Sequence, residues 1–185
     1  MSMVMIFILQ LLRVLDGISK LSSMEDMIAA IKKSLEDQNY YSALFLTLVL
    51  PSICGALESA NGQDSGEKYK DWYDRYITDS NLDGEECFRL RCSLLHQGMT
   101  AHHRSSFSRV IFAIPNSRSI ISHENFINGA LNLYIPWFCE KILRAVETWL
   151  EDMKDNENYK KNIEMTIKTY PNGLASYIVG LPLIS

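Results

Sequence analysis

Arginine and histidine side chains, which suit the binding of anions and the transfer of protons, are concentrated in one stretch of this chain. Residues 88–122 contain no Asp, Glu or Lys. With His123 directly after it, the stretch carries Arg89, Arg91, His96, His102, His103, Arg104, Arg109 and Arg118. A guanidinium holds phosphate through paired hydrogen bonds, and an imidazole is the usual general acid or base near neutral pH. The stretch therefore predicts an anion site, with chance clustering along a solvated face as the alternative.

Arg91 interrupts the apolar face of a predicted helix. Counted from Cys87, the residues at i+3 and i+7 are Leu90 and Leu94, whereas position i+4 is Arg91. A guanidinium on a core-facing position costs several kcal/mol unless a partner group compensates it. We therefore expect Arg91 to reach a carboxylate, a group of backbone carbonyls, a subunit interface or a bound anion.

His96 follows Arg91 by five residues, which corresponds to about 140° around an ideal helix. The two side chains are therefore expected to share one face only if the helix loosens near Gly98 or if a second subunit brings them together. A simpler interpretation of His96 is a cation in the last turn of a helix, where it stabilises the helix dipole.

The segment Arg91-Cys92-Ser93-Leu94-Leu95-His96 resembles the R-x4-6-H motif of the HEPN superfamily (higher eukaryote and prokaryote nucleotide-binding domains). Many members are metal-independent ribonucleases of toxin–antitoxin, abortive-infection and CRISPR-associated systems. The resemblance implies that Arg91 clamps the scissile phosphate while His96 acts as general acid or base for attack by the ribose 2′-hydroxyl. It also implies a site composed from two subunits, with no metal or other cofactor. Cys92 stands where active members commonly carry a polar residue.

Three functions follow from these residues. The resemblance implies a cytoplasmic, homodimeric endoribonuclease of a toxin or phage-defence system, controlled by an antitoxin or another protein. The alternative is a non-catalytic HEPN-like module that binds a nucleotide, RNA or a protein. In the third, Arg91 and His96 are structural, and Arg91 is buried against a carboxylate such as Asp74 or Glu58. For the first two, the predicted substrate-binding residues are Arg89, His102, His103, Arg104 and Arg109.

Helical periodicity predicts the elements that must position these residues, namely an all-α, antiparallel helical bundle with a short β-hairpin insertion. The bundle covers residues 24–170, the hairpin lies near 106–123, and a tail at 171–185 docks on the domain. The predicted helices are Met24–Leu35, a central core helix at Ser42–Glu58, an aromatic face from Tyr69 to Ile77, Leu82–Gly98, Leu131–Met153 and about Asn156–Thr169. The apolar residues 1–23 are either a short docking helix or a leader that precedes a start at Met24.

The composition limits the hypotheses. The 185 residues are 47% hydrophobic, which suits one domain with a core and excludes a disordered chain or a fibre. The net charge of −4 excludes a generally basic polyanion-binding protein and leaves only a local basic patch. The four cysteines form no C-x-x-C pair, which favours buried free thiols in a reducing cytoplasm, without a bound metal. No P-loop, dinucleotide-binding or hydrolase-elbow motif occurs, and no membrane association is predicted.

Overall fold

The computed structural model describes residues 23–117 and 121–185. Its helices are α1 (Ser23–Glu36), α2 (Tyr40–Glu58), α3 (Gly66–Tyr76), α4 (Gly84–Gln97), α5 (Ile135–Asp152) and α6 (Glu157–Ile163). Its strands are β1 (Arg109–Ala113), β2 (Asn125–Ile127), β3 (Ala130–Tyr134), β4 (Thr169–Tyr170), β5 (Gly173–Leu174), β6 (Ile178–Val179) and β7 (Leu183–Ile184). The prediction of a mostly helical chain is confirmed. The predictions for residues 1–22, for Arg118 and for Ile120 lie outside the described residues.

The chain divides into two compact units. Residues 29–165 form the larger unit, and the described residues of the smaller unit are 23–28 and 166–185. Every residue of the candidate site lies in the larger unit, which is described first.

Helix α2 is the central helix of the larger unit. It is apolar on nearly every side, as the sequence predicts for a core helix, and it contacts α3, α4, α5 and α6. Asn39 caps it by accepting a hydrogen bond from the Ser42 N–H, and Pro51 lies inside it. In the described part of the chain, α2 is the one helix long and apolar enough to cross a membrane, and 56% of its apolar window is buried within the protein.

The aromatic side chains of α3 face this core. Tyr69, Trp72 and Tyr73 are completely buried. The packed helix face predicted from their spacing is therefore confirmed, and these rings are not available to stack on nucleic-acid bases. The Tyr69 hydroxyl donates to the Leu48 carbonyl of α2 at 3.2 Å. That bond fixes the ring beside α4, where its oxygen lies 3.3 Å from Cys87 Sγ.

Helix α4 has the ends that its sequence predicts. The Asp83 carboxylate accepts the Glu86 N–H at 2.8 Å, which caps the first turn. Gly98 ends the helix with a φ of 66°, and the N–H groups of Gly98 and Met99 bond back to the last turn. One half of the predicted capping box is absent, because the Glu86 carboxylate accepts hydrogen bonds from a later loop instead.

The β insertion differs from the predicted hairpin at 106–123. Strand β1 pairs in parallel with β3, and the hairpin is formed by β2 and β3 around Asn128-Gly129. Both turn residues have positive φ, 51° and 79°, which is the conformation that Asn-Gly favours in tight hairpins. Residues 130–134, predicted as the start of a helix, are therefore a strand.

Two helices complete the larger unit, and both differ from their predicted limits. Helix α5 starts only at Ile135, with Pro136 in its first turn, where the missing N–H removes no helical bond. Helix α6 ends at Ile163, well before the predicted Thr169. The Asn162 amide donates to the carbonyls of Leu57 and Ser59, which fastens α6 to the end of α2.

The described part of the smaller unit consists of two short antiparallel pairs and the start of α1. Strand β4 pairs with β7, and β5 pairs with β6. The hydroxyls of Ser23 and Thr166 are 2.5 Å apart. The tail predicted from its apolar composition thus has regular backbone pairing of its own.

Candidate functional site

Arg91 and His96 meet on the last turns of α4. Arg91 Nη1 lies 3.3 Å from His96 Nε2, with Arg91 half-buried and His96 exposed. A guanidinium only donates, so Nε2 accepts this bond in a neutral imidazole. The expectation that the pair needs a loosened helix or a second subunit is wrong, because the long arginine side chain spans the angle along an intact helix.

No carboxylate lies within ion-pair distance of Arg91 among residues 23–117 and 121–185. The two carboxylates predicted as structural partners are engaged elsewhere. Asp74 accepts the Gly84 N–H at 2.6 Å, and Glu58 binds Arg75 and the indole N–H of Trp149. The structural pairing of Arg91 with either residue is therefore wrong.

The inner part of the Arg91 side chain is buried without a hydrogen-bond partner. Its Nε atom has no acceptor, and Nη1 lies 3.9 Å from the Cys92 sulfur, which is a weak acceptor. Burial raises the pKa of Tyr69 well above its usual value, and the positive charge of Arg91 opposes that rise. No acidic side chain in the described ranges lies within ion-pair distance of the Arg91 guanidinium.

Glu86 ties the loop after α4 back onto the helix. Its nearly buried carboxylate accepts the Ser105 hydroxyl at 2.5 Å and the Ser106 N–H at 2.9 Å. Arg89, predicted as a substrate-binding cation, pairs with Glu86 at 2.9 Å and with Glu85 at 3.1 Å. Burial raises the pKa of Glu86, but the hydrogen bonds from Ser105 and Ser106 and the charge of Arg89 together hold it below its usual value. The structure thus places Arg89 in a structural ion pair.

The loop held by Glu86 carries three predicted site residues. The rings of His102 and His103 stack with centroids 4.5 Å apart, and His102 Nδ1 accepts the Arg104 N–H. The pair lies in an irregular polar loop, where the side-chain alternation of strands and helices does not apply, so adjacent rings can stack. His103 and Arg104 are exposed.

Arg109 lies at the first position of β1, exposed to solvent, and lines a groove with Leu94 and Thr100. Leu94 is one helical turn from Arg91 on α4. His123 is placed elsewhere: its Nδ1 accepts the Tyr134 N–H at 3.1 Å and its ring meets Trp137 edge-on. The structure thus brings Arg91 and His96 together and leaves His123 apart from them.

Sequence reasoning missed the two residues that organise the surroundings of the pair. Glu86 is separated from Ser105 by 19 residues, so no local sequence pattern connects it with the loop that it holds. Tyr69 was assigned only to a packed face, and its hydroxyl beside Cys87 could not be placed without knowing how α3 and α4 pack.

In the described parts of the chain, no three His, Cys, Asp or Glu side chains are grouped so that they could hold a metal ion. No protein-family profile, curated protein or solved structure matches this chain.

Proposed function

We propose that this protein is a metal-independent endoribonuclease of the HEPN type that acts on RNA in the cytoplasm. The observation that supports this proposal is the contact between Arg91 and His96 on a solvent-accessible part of α4. The sequence motif supplied the two residue types, and the side chains lie close enough to act on one phosphodiester. In this proposal the protein works as a homodimer in a toxin or phage-defence system, and an antitoxin or another protein controls it.

The uncompensated charge of Arg91 supplies the phosphate clamp. A phosphodiester oxygen that accepts a hydrogen bond from Nη1 replaces the His96 imidazole as its acceptor. This exchange frees Nε2 to accept a proton from the ribose 2′-hydroxyl. One binding event thus places the phosphate and prepares the base.

The reaction that follows is a transesterification. His96 takes the proton of the 2′-hydroxyl, the 2′-oxygen forms a bond to phosphorus, and the bond from phosphorus to the 5′-oxygen breaks. Arg91 stabilises the additional negative charge on the phosphoryl oxygens. A water molecule protonates the departing 5′-oxygen, and the His96 imidazolium returns its proton to the solvent, which leaves a 2′,3′-cyclic phosphate and a 5′-hydroxyl.

The test is RNA cleavage in EDTA with the product ends mapped. We expect Arg91→Ala and His96→Ala each to lower the rate at least about 100-fold, the lower range for loss of a general acid or base. The matched controls are Arg144→Ala, an exposed arginine on α5, and Gln97→Ala, an exposed neighbour of His96. Absence of cleavage by the wild type, or equal cleavage rates in the wild type and all variants, would refute the proposed nuclease activity.

A non-catalytic RNA- or nucleotide-binding module is the second candidate. Cys92, whose sulfur lies 3.9 Å from Arg91 Nη1, favours it, because active members of the family commonly have a polar residue there. This candidate predicts that His96→Ala leaves RNA affinity unchanged while Arg91→Ala weakens it, with no cleavage by any form. Fluorescence anisotropy with a labelled single-stranded RNA distinguishes the two candidates.

A further inference from the structure

An apolar groove of about 530 Å³ runs between the start of α2 and strand β1. We call it the β1 groove. Among its lining residues are Tyr41 and Phe45 of α2, Ile111 of β1 and Ile114 just beyond it. The groove belongs entirely to the larger unit, and its far wall includes Leu94 of α4.

The apolar side chains of the β1 groove are strongly exposed. The exposed fractions are 80% for Tyr41, 52% for Ile114, 43% for Ile111 and 36% for Phe45. The rings of Tyr41 and Phe45 meet edge-to-face at 6.5 Å, so one side of the groove is an ordered aromatic wall. Contiguous apolar surface of this kind on a folded protein commonly marks an interaction site.

The position of β1 in the sheet indicates which kind of ligand fits the β1 groove. Within residues 23–117 and 121–185 the sheet order is β1-β3-β2, so β1 is an edge strand of the described sheet. The four consecutive residues 109–112 all line the groove, so the groove borders this strand. An extended segment laid there can bond to backbone groups of β1 while its alternate side chains enter the groove. The Thr100 carbonyl already accepts the Val110 N–H at 2.7 Å, so this group is occupied and an added segment pairs with β1 beyond Val110.

The charge of the β1 groove is positive and small. Among the described residues that line the groove, Arg109 is the one charged side chain, and none is Asp or Glu. Helix α2, whose first residues form the opposite wall, has no acidic residue in its first turn to offset its dipole. A segment bound here can therefore pair one carboxylate with Arg109.

RNA fits this surface less well than a protein segment. A bound RNA strand needs several cations along its backbone, and the β1 groove offers only Arg109. Four large apolar side chains match apolar side chains of a peptide better than they match phosphates and riboses.

We propose that the β1 groove binds an extended, acidic-apolar segment of a partner protein, whose apolar side chains pack on Ile111 and Phe45 and whose carboxylate pairs with Arg109. In this proposal the segment adds a strand along β1 beyond Val110, whose N–H is already bonded to the Thr100 carbonyl. The β1 groove does not include Arg91 or His96, so this proposal and the proposed nuclease activity are tested separately.

The test uses a phage-displayed library of short random peptides selected on the wild-type protein. We expect the enriched sequences to alternate apolar residues and to contain Asp or Glu. Synthetic versions of them should bind Ile111→Glu at least about tenfold more weakly than wild type. The matched control is Ile127→Glu on β2, at the opposite edge of the same sheet and 50% exposed, which should change the affinity less than about twofold.

A second selection, on Arg109→Glu, tests the charge. We expect the enriched peptides to carry Lys or Arg in place of the acidic residue, because the variant has a negative charge where the wild type has the positive charge of Arg109. Circular dichroism confirms that each variant is folded before it is used.

Four results would overturn the proposal: no enriched peptide, equal binding to Ile111→Glu, an unchanged charge preference with Arg109→Glu, or protection of the β1 groove by RNA in hydrogen exchange. Dimerisation of the wild type that Ile111→Glu abolishes would also overturn it, in favour of a second copy of this chain as the occupant.

Discussion

At the scale of single residues, the unusual feature of the site is Arg91, a charged residue at a position where the helix pattern calls for an apolar one. Arg91 Nε is buried without an acceptor, and no acidic side chain in the described part of the chain offsets its charge. A buried polar atom left without a partner costs about 1–3 kcal/mol. We therefore expect the protein to be less stable with this arginine than with an apolar residue, which is the pattern expected where function, and not folding, requires the residue.

Replacement of this arginine should stabilise the protein. We expect Arg91→Met to raise the free energy of unfolding by about 0.5–2 kcal/mol, because Met keeps the length and removes the unpaired polar atoms. Urea denaturation measures the change. Arg144→Met, at an exposed position, should stay within about 0.5 kcal/mol of wild type. A loss of stability in Arg91→Met would show that the guanidinium has a structural role.

His123 should make stability depend on pH. Burial lowers its pKa, Glu124 opposes that effect and Lys141 adds to it, with a net decrease. A folded pKa below the unfolded value of about 6.5 means that acid favours the unfolded chain, so this contribution is complete above that pH and declines below it.

The variant His123→Gln isolates this effect, because a glutamine oxygen can still accept the Tyr134 N–H without gaining a charge. Thermal unfolding at about pH 7.5 and pH 5.5 should show a smaller acid-induced decrease in melting temperature than in wild type. The exposed His103→Gln should retain the wild-type decrease. Equal decreases in all three proteins would contradict the prediction.

At the scale of elements, α4 and the loop after it determine where the site lies. Gly98 stops the helix two residues after His96, and Glu86 holds the returning loop at Ser105 and Ser106. The loop carries His103 and Arg104 as exposed groups near the end of the helix. The motif residues come from the helix, but the surface around them depends on one nearly buried carboxylate.

Removal of the Glu86 charge should loosen this loop. We expect Glu86→Gln to lower the free energy of unfolding by about 1–3 kcal/mol at neutral pH, since hydrogen bonds to a charged acceptor are lost. Because the folded pKa of Glu86 is depressed, its contribution is present above the unfolded pKa and is lost as the pH falls through the folded value. The variant should therefore lose less stability than wild type between about pH 5 and pH 3.

Urea denaturation across that range measures the difference, with the exposed Glu140→Gln as the control. Hydrogen exchange should locate the loss of protection at residues 100–108. A variant as stable as wild type at neutral pH would show that the hydrogen bonds of Glu86 contribute nothing net.

The sequence predicts α3 and α4 well, because their caps and apolar spacing are local signals. It places β1 inside the β insertion but gives it the wrong partner, because parallel pairing joins strands distant in sequence. It misses β3, because Leu131 and Tyr134 fit a helical as well as an extended pattern. The Asn128-Gly129 turn was the local signal for the hairpin. For the site, the apolar spacing identifies Arg91 as a charged residue at an apolar position. Its contact with His96 could not be predicted, because the angle between two helix positions does not include the length of the side chains.

At the scale of the whole molecule, the chain is acidic and its cations near the site are few. The net charge is −4, Arg89 is already paired, and the exposed cation in the tethered loop is Arg104. Affinity for RNA therefore cannot come from a broad basic surface in the described part of the chain.

RNA binding should depend only weakly on salt. Two to four phosphate contacts predict a slope of about −1.5 to −3 for the logarithm of the binding constant against the logarithm of the salt concentration. Fluorescence anisotropy from low to moderate salt measures it, and Arg91→Ala should reduce the magnitude of the slope by about 0.7. A much steeper slope would require basic residues that are not at this site.

Helix α2 has a consequence for the synthesis of this protein. It has the length and hydropathy of a membrane span, and the helices that bury it, α3, α4, α5 and α6, all follow it in the chain. While the ribosome makes those later helices, α2 has left the exit tunnel without them. We therefore expect chains that stall after α4 (Gly84–Gln97) and before α5 is made to be recognised by chaperones or by the membrane-targeting machinery, and to be released from them once α5 has emerged.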